Sequence, residues 1–299
     1  MAVGATRADV AGGSSTRWSL ARLRPDGWAL LVLPALLLII GAFGYPVFDI
    51  LRRSFTEPSV GVENYRLFFD TPAYVTILRR TFVTAAIVTF VCLLIGYPYA
   101  YLMTIVRDRW KMVLLAVVLV PFWTSLMVRT YAWIVLLQDT GVINDVIAAL
   151  GIGRLSLIRN TLGVTIGMTQ ILLPFMVLPL YSTMQGIDRR LLQAAEGLGA
   201  RPRTAFLKVY VPLSLPGVTA GVTLVFILAL GFYVTPALLG SPQNALLSQL
   251  VVQQVSQLLN FGSGGAMAAI LLAATLILFF LLSRVIRPSK AFGALGSDA

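Results

Sequence analysis

The sequence contains no histidine and a single cysteine among its 299 residues. Without histidine, a Ser-His hydrolase site has no general base. A zinc site is also disfavoured, because neither cysteines nor carboxylates cluster at the spacing that metal ligands need. The lone Cys92 cannot form an intrachain disulfide, and its position in an apolar run predicts a packing role.

Charged residues are scarce, at 12% of the chain against 58% hydrophobic residues. The mean hydropathy is +0.86, and this balance is typical of polytopic membrane proteins. The net charge is +11, but the basic residues stand between apolar runs and form no patch with interleaved aromatic residues. The charge therefore does not indicate a nucleic-acid partner.

The sequence also lacks a phosphate-binding loop for ATP, which requires Gly-Lys-Ser/Thr after a glycine-rich turn. The three lysines, Lys111, Lys208 and Lys290, follow Trp, Leu and Ser. We therefore expect a chain that is not an enzyme and that carries no ATPase site, metal or cofactor of its own.

Six apolar runs are long enough to cross a bilayer, which takes about 20 residues. They predict an all-α, polytopic membrane protein with six transmembrane helices in a domain spanning residues 26–288. Residues 1–25 are predicted to be a disordered cytoplasmic tail and residues 289–299 a short one. The predicted spans are approximately 28–50, 79–105, 112–137, 162–184, 218–239 and 264–286.

Lysine and arginine are distributed unequally between alternate connections of these spans. If the N-terminus lies inside, 15 of them fall on the inner side and seven on the outer side. The positive-inside rule then places both termini and the loop of residues 185–216 in the cytoplasm. Some outer arginines, such as Arg52 and Arg79, flank spans and can snorkel, which weakens the asymmetry.

The loop of residues 185–216 is the most polar long segment between two spans. Asp188 is placed to cap a helix, Gly199 to end it and Pro202 to begin a second helix. Apolar residues recur at three- and four-residue steps in the first of these helices, which predicts one apolar face for docking another protein. They are Leu191, Leu192, Ala195 and Leu198.

This loop resembles the signature loop of the membrane subunits of type I ABC importers, which reads Glu-Ala-Ala, three variable residues and Gly. The matching residues are Gln193, Ala194, Ala195, Glu196, Gly197, Leu198 and Gly199, followed by Ala200, Phe206, Val209, Pro212 and Pro216. Gln193 replaces the family's leading carboxylate, and Glu196 stands one turn further on along the same face. An amphipathic interfacial helix without a partner is the alternative interpretation.

The resemblance implies a MetI-like permease fold in the cell (inner) membrane. It also implies that the helix of residues 188–200 couples to a cleft of an ATP-binding cassette ATPase dimer. The implied coupling residues are Gln193, Ala194, Ala195, Glu196, Leu198, Gly199 and Ala200. Further implied partners are a second homologous permease, a periplasmic or lipid-anchored solute-binding protein and the lipid bilayer.

Two further stretches resemble the spermidine and putrescine branch of this family, in particular the first of its two permeases. They run from Pro121 to Trp133 and from Gly231 to Pro236. A polyamine prefers carboxylates and aromatic faces, yet no predicted span has an acidic residue in its middle. The candidate pathway residues are Trp123, Arg129, Tyr131 and Tyr233.

Arg129 is the most informative of these candidate pathway residues, because a guanidinium within an apolar run normally marks a pathway or an ion pair. A cation repels a polyammonium substrate, so Arg129 is not assigned as its ligand. A structural residue satisfied by carbonyl groups or by Asp139 is the competing interpretation.

Other transport functions stay open at this point. The docking loop is shared with permeases for opines, amino-acid-like solutes and ferric ion. A secondary transporter driven by an ion gradient would show internal repeats and buried ionisable residues, and neither is evident.

Two connections near the end of the chain carry structural expectations. Residues 240–263 show apolar residues at helical spacing beside several glutamines, which predicts an external amphipathic helix at the membrane interface or against a receptor. The run from Gly262 to Gly265 is predicted to be a flexible start of the last helix, because Ser263 has no histidine to activate it.

Overall fold

The computed structural model describes residues 27–285, with the side chains of residues 33–280. The described residues are predominantly helical and contain no strand, which confirms the all-α prediction. The predicted tails, 1–25 and 289–299, lie outside the described residues. The chain divides into two compact units between Asp49 and Ile50, and the loop of residues 185–216 belongs to the second unit.

Fourteen α-helices are present in the described part of the chain, with short π and 3-10 segments between some of them. The α-helices are α1 (Gly27–Ile39), α2 (Tyr45–Thr56), α3 (Glu63–Asp70), α4 (Pro72–Ile105), α5 (Asp108–Leu119), α6 (Leu126–Leu137), α7 (Val142–Ala149), α8 (Thr161–Met184), α9 (Arg190–Gly197), α10 (Pro202–Ala205), α11 (Val211–Leu230), α12 (Val234–Leu239), α13 (Leu247–Val252) and α14 (Phe261–Val285).

Six helical stretches within the described residues are long and apolar enough to cross a membrane, as the sequence predicts. They are Leu33–Thr56, Pro72–Ile105, Leu126–Ala149, Thr161–Met184, Pro202–Leu230 and Phe261–Phe280. The fourth coincides closely with its predicted span, and the second ends at the predicted residue but begins seven residues earlier, at Pro72. The third and fifth depart from them.

The third span was predicted as one continuous helix over residues 112–137, and this is wrong. Helix α5 ends at Leu119, a 3-10 turn covers Val120–Trp123, and α6 begins only at Leu126. Pro121 lies at the start of the 3-10 turn, where its missing N–H and its ring prevent the α-helix from continuing. The hydroxyl of Thr124 donates to the Pro121 carbonyl at 2.7 Å, which satisfies one acceptor freed by the break.

The fifth span was predicted over residues 218–239, and both ends are wrong. Its helical path begins at Pro202, continues through a π segment at Phe206–Tyr210 and ends at Leu230. Pro212 lies within the first two positions of α11, and Pro216 lies inside that helix, so neither ends the helical path. Residues 234–239 form the separate helix α12 because Gly231, Phe232 and Tyr233 interrupt the chain.

Helices α4, α8 and α11 pack against one another and form the centre of the second unit. Glycines on both outer helices face Met176 of α8. A Cβ at Gly96 of α4 would lie 3.0 Å from its Cγ, and one at Gly221 of α11 would lie 2.8 Å from its sulfur. Cys92 is fully buried in this cluster, which confirms its packing role, and the small residues let the backbones approach closely.

The run from Gly262 to Gly265 is a packed start of α14, and the prediction of a flexible one is wrong. A Cβ at Gly265 would lie 2.6 Å from the Ile50 carbonyl, and one at Gly262 would overlap the Glu57 carbonyl. The hydroxyl of Ser263 donates to Asn64 Oδ1 at 3.2 Å. Asn64 Nδ2 donates to the carbonyls of Ser54 and Glu57 at 3.0 and 2.6 Å.

Helix α13 is also placed differently from the expectation of an interfacial or receptor-facing helix. Leu246 and Leu247 are buried, and Leu247 packs in a cluster with Phe68 and Met267. Its backbone N–H donates to the hydroxyl of Thr81 on α4 at 2.9 Å. The apolar face is covered by the chain's own helices, a possibility that periodicity alone cannot distinguish from an external surface.

Candidate coupling site

The loop helix α9 has defined ends. The carboxylate of Asp188, two residues before the start of α9, accepts a hydrogen bond from the backbone N–H of Arg190 at 2.9 Å. It thereby satisfies a free N–H at the start of the helix, as predicted, although Arg189 stands at the cap position itself. At the other end, the N–H groups of Gly199 and Ala200 donate to the carbonyls of Glu196 and Ala195. Gly199 has φ of +90°, and this pattern is a Schellman cap that only glycine adopts readily.

The predicted single apolar face of α9 is divided between two directions. Leu192 and Ala195 are half-buried, and Leu192 packs against the central cluster of α4, α8 and α11. Leu191 and Ala194 are exposed, and Leu198 is 91% exposed. These three residues, spaced three and four apart, form an apolar stripe that points away from the protein.

The remaining predicted coupling residues surround this stripe. Gln193, Glu196 and Gly199 are exposed, whereas Ala200 is half-buried. Gln193 and Glu196 stand on the polar side of the helix, one turn apart, as expected for i, i+3 positions. The loop therefore presents an apolar stripe with a polar flank, and nothing fills the space beside Gly199 within 4 Å of a Cβ placed there.

The base of α9 is joined to two of the central helices. Three rings form a cluster, with Tyr101 of α4 at 5.3 Å from Phe206 and 5.2 Å from Tyr210, measured between centroids. Arg189 donates a hydrogen bond to the Thr104 carbonyl at the end of α4, where a cation also suits the helix dipole. A force on α9 would therefore reach α4 and the fifth span directly.

Arg189, Tyr101 and Tyr210 were not predicted from the sequence to be part of this site. Phe206 and Tyr210 are four residues apart, a spacing that places two rings on one side of a helix. This spacing was the available signal for them. Nothing in the sequence pairs these rings with Tyr101, which is more than 100 residues away.

The candidate pathway residues do not meet in one described cavity. Trp123 lies exposed on the 3-10 turn, and Tyr131 is exposed on α6. Tyr233, in contrast, lines a largely apolar groove of about 410 Å³ between α11, α13 and α14, together with Gly231 and Ser248. The Ser248 hydroxyl donates to the Phe232 carbonyl at 2.7 Å. This bond holds residues 231–233, which separate α11 from α12, at one side of the groove.

Arg129 is half-buried in α6, and its Nε is buried without a hydrogen-bond partner in the described part of the chain. The structure contains no ion pair between Arg129 and Asp139, both of which it describes. The next residue, Thr130, lies 3.3 Å from Thr235 of α12 between hydroxyl oxygens. This contact holds α6 against the segment that follows Tyr233.

Comparison with known proteins connects this geometry to a family. Residues 29–291 match the family described as binding-protein-dependent transport system inner membrane component. The chain is similar to the spermidine/putrescine transport system permease protein PotB of Haemophilus influenzae, with 35% identity over 74% of this chain and 78% of that protein. PotB of Escherichia coli is 32% identical over 87% of this chain and 95% of its own length.

Similarity extends to further transport proteins. The inner membrane ABC transporter permease protein YdcU of Escherichia coli is 32% identical over 91% of this chain and 90% of that protein. A bacterial alginate ABC transporter, crystallised with an alginate pentasaccharide-bound periplasmic protein, has a chain that matches with a TM-score of 0.71. The identity is 16%, over 87% of this chain and 93% of that one, so this likeness supports the fold alone. The chain thus belongs to the family of inner membrane components of binding-protein-dependent transport systems, and it is a multi-pass permease subunit of an ABC importer.

Proposed function

We propose that this permease subunit forms half of a polyamine translocation pathway and couples it to ATP hydrolysis on a partner through the helix of residues 188–200. The observation that carries the coupling role is the outward stripe of Leu191, Ala194 and Leu198. Leu198 is 91% exposed, and a contiguous apolar stripe on a protein surface is typical of a site where another protein binds.

The energy available from such a contact is sufficient for docking. Complete burial of one leucine side chain contributes about 1.5–3 kcal/mol, and such buried anchors dominate many protein interfaces. Gln193 and Glu196 would then form part of a polar rim, where a charge contributes little. This arrangement accounts for a neutral residue at the position where the family has a carboxylate.

A polyamine is the proposed solute because permeases of spermidine/putrescine systems are 32–35% identical to this chain over most of its length. The groove beside Tyr233 offers an aromatic face that suits an ammonium group by a cation–π contact. Its lining within the described residues contains no carboxylate. A pathway that binds its substrate weakly releases it readily, and selection then falls to the solute-binding protein.

The proposed assembly has a second related permease beside this chain and an ATP-binding cassette ATPase pair below it. Both termini and α9 lie on the cytoplasmic side in this proposal, as the distribution of Lys and Arg favours. The solute-binding protein docks on the opposite side. Closure of the ATPase pair would move α9, and the ring cluster at its base would transmit the movement to α4 and the fifth span.

Uptake of labelled spermidine and putrescine by cells tests this function. Cells that lack this chain should lose uptake, and the wild-type chain should restore it. Leu198→Asp should fail to restore uptake while the protein still inserts into the membrane. Gln193→Glu is the matched control, since it adds the same charge to the same helix away from the apolar stripe, and it should restore uptake.

Two results would contradict the proposal separately. Normal uptake with Leu198→Asp would remove the coupling role from this helix. Restoration of uptake of another solute, with no effect on either polyamine, would leave the coupling role intact and remove the polyamine assignment.

A further inference from the structure

A polar pocket lies where the ends of α4 and α8 meet the base of the coupling helix. Its volume is about 210 Å³, and its lining includes Thr104, Lys111, Tyr181, Gln185, Arg189 and Tyr210. Two of the lining side chains are cations, and no residue of the lining, all of which the structure describes, is a carboxylate. The pocket therefore has an excess of positive charge.

This charge is only weakly compensated from outside the pocket. Lys111 Nζ lies 3.5 Å from Asp108 Oδ1, but the Asp108 side chain is 95% exposed, and such surface pairs are largely screened by water. Arg189 uses one donor for the Thr104 carbonyl, which fixes its position. A guanidinium has five N–H donors in all, so Arg189 retains donors for a ligand.

Tyr210 supplies the second, independent observation. Its side chain is only 2% exposed, and its hydroxyl is buried without a hydrogen bond of normal geometry among the described groups. The neighbouring Thr104 hydroxyl already donates to the Tyr101 carbonyl. A buried hydroxyl without a partner is unfavourable. A ligand with oxygen acceptors in the adjoining pocket would satisfy it.

We propose that this pocket binds a phosphate group, presented either by an anionic lipid or by free phosphate. Phosphate offers several acceptor oxygens and negative charge, and lysine and arginine together with neutral donors are the groups that bind it in proteins. Bound there, it would join Lys111 of α5 to Arg189, the residue directly before α9. Occupancy would thereby stiffen the base of the coupling helix, whichever solute the transporter carries.

Thermal unfolding of the purified full-length chain in detergent tests the site. Inorganic phosphate is titrated in one series, and phosphatidylglycerol is compared with phosphatidylcholine in a second. The unfolding midpoint should rise saturably with at least one of the two phosphate sources and not with phosphatidylcholine, which is net neutral, because a ligand that binds only the folded state stabilises it.

Three variants make the test specific. Lys111→Gln and Tyr210→Phe should each raise the half-saturating concentration of the effective source by about tenfold. Tyr210→Phe removes only an unpartnered hydroxyl, so its midpoint without ligand should be equal to or above that of the wild type. Arg203→Gln removes an exposed cation of the same loop outside the pocket and should leave the titration unchanged.

The two series distinguish the source of the phosphate. A response to inorganic phosphate supports a site for free phosphate, and a response confined to phosphatidylglycerol supports a lipid headgroup site. The absence of a saturable response in both series would overturn the proposal. So would a response that Lys111→Gln and Tyr210→Phe leave as strong as in the wild type.

Discussion

Leu198 is an apolar side chain that the described part of the chain leaves uncovered, so a single substitution there tests the proposed coupling. Replacing it with aspartate removes the apolar contact and brings a charge into an interface. We expect a loss of about 3 kcal/mol in ATPase binding, or roughly a hundredfold in affinity. Leu198→Ala should cause a smaller loss, and titration of the ATPase onto the purified permease measures both.

Tyr233 allows a test of the aromatic face in the groove. Tyr233→Phe keeps the ring and should leave the KM for spermidine nearly unchanged. Tyr233→Leu keeps much of the volume but removes the ring, and it should raise the KM several-fold through the loss of about 1 kcal/mol of cation–π attraction. Equal KM values for the two variants in transport assays would show that the ring face does not contact the substrate.

Asn64 is a structural residue whose role depends on its two amide donors. Asn64→Asp keeps the shape but cannot donate to the Ser54 and Glu57 carbonyls, so we expect a loss of about 2–3 kcal/mol in the free energy of unfolding. The more exposed Asn244, whose Nδ2 donates only to the Ser241 hydroxyl at 3.1 Å, provides the control. Asn244→Asp should lower the unfolding midpoint in detergent much less.

At the level of single elements, the sequence predicted α9 well because its signals are local. Asp188, Gly199 and Pro202 each act through the backbone within a few residues, and all three have the predicted effect on the helices. The division of the apolar face between Leu192 and Leu198 could not be predicted, because it depends on where distant helices end. For the same reason, the spacing of apolar residues in α13 did not show that other helices of the same chain cover its apolar face.

The boundaries of the third and fifth spans were missed for another physical reason. A hydropathy pattern reports which residues favour lipid, but it does not report where a helix is interrupted within an apolar run. Pro121 and the sequence from Gly231 to Tyr233 interrupt helices within apolar stretches. In contrast, the π segment at Phe206–Tyr210 continues a helix within the loop of residues 185–216. Interruptions of this kind are tolerated where neighbouring groups satisfy the backbone.

The close packing of α8 against α11 can be tested by a single substitution. A Cβ at Gly217 would lie 2.8 Å from Thr183 Oγ1 and 3.0 Å from the Pro179 carbonyl, so Gly217→Ala must move the two helices apart. The overpacking cost of about 1–3 kcal/mol should exceed the gain of about 1 kcal/mol in helix propensity. The unfolding midpoint in detergent should therefore fall.

Gly197→Ala is the matched control for this variant, since Gly197 is also helical and has nothing within 4 Å of an added Cβ. It should gain the helix propensity without the clash and raise the midpoint slightly. A fall of equal size in both variants would show that the close approach of α8 and α11 does not depend on Gly217.

For the whole molecule, the proposed coupling requires continuity between the coupling helix and the membrane-spanning helices. Helix α9 lies between α8 and the start of the fifth span, and its base contacts α4 through Arg189 and the rings of Tyr101, Phe206 and Tyr210. In the proposed coupling, movement of this short helix would reach α4 through Arg189 and the fifth span through the ring cluster. This is the arrangement expected of a permease driven by a partner's ATP hydrolysis.

The most direct test is affinity purification of the tagged chain from gently solubilised native membranes, followed by identification of the proteins that remain bound. A second permease and an ATPase should be recovered with the wild-type chain. With Leu198→Asp the second permease should remain and the ATPase should be lost. Recovery of the chain alone, or an ATPase that remains bound to Leu198→Asp as it does to the wild type, would contradict the proposed coupling.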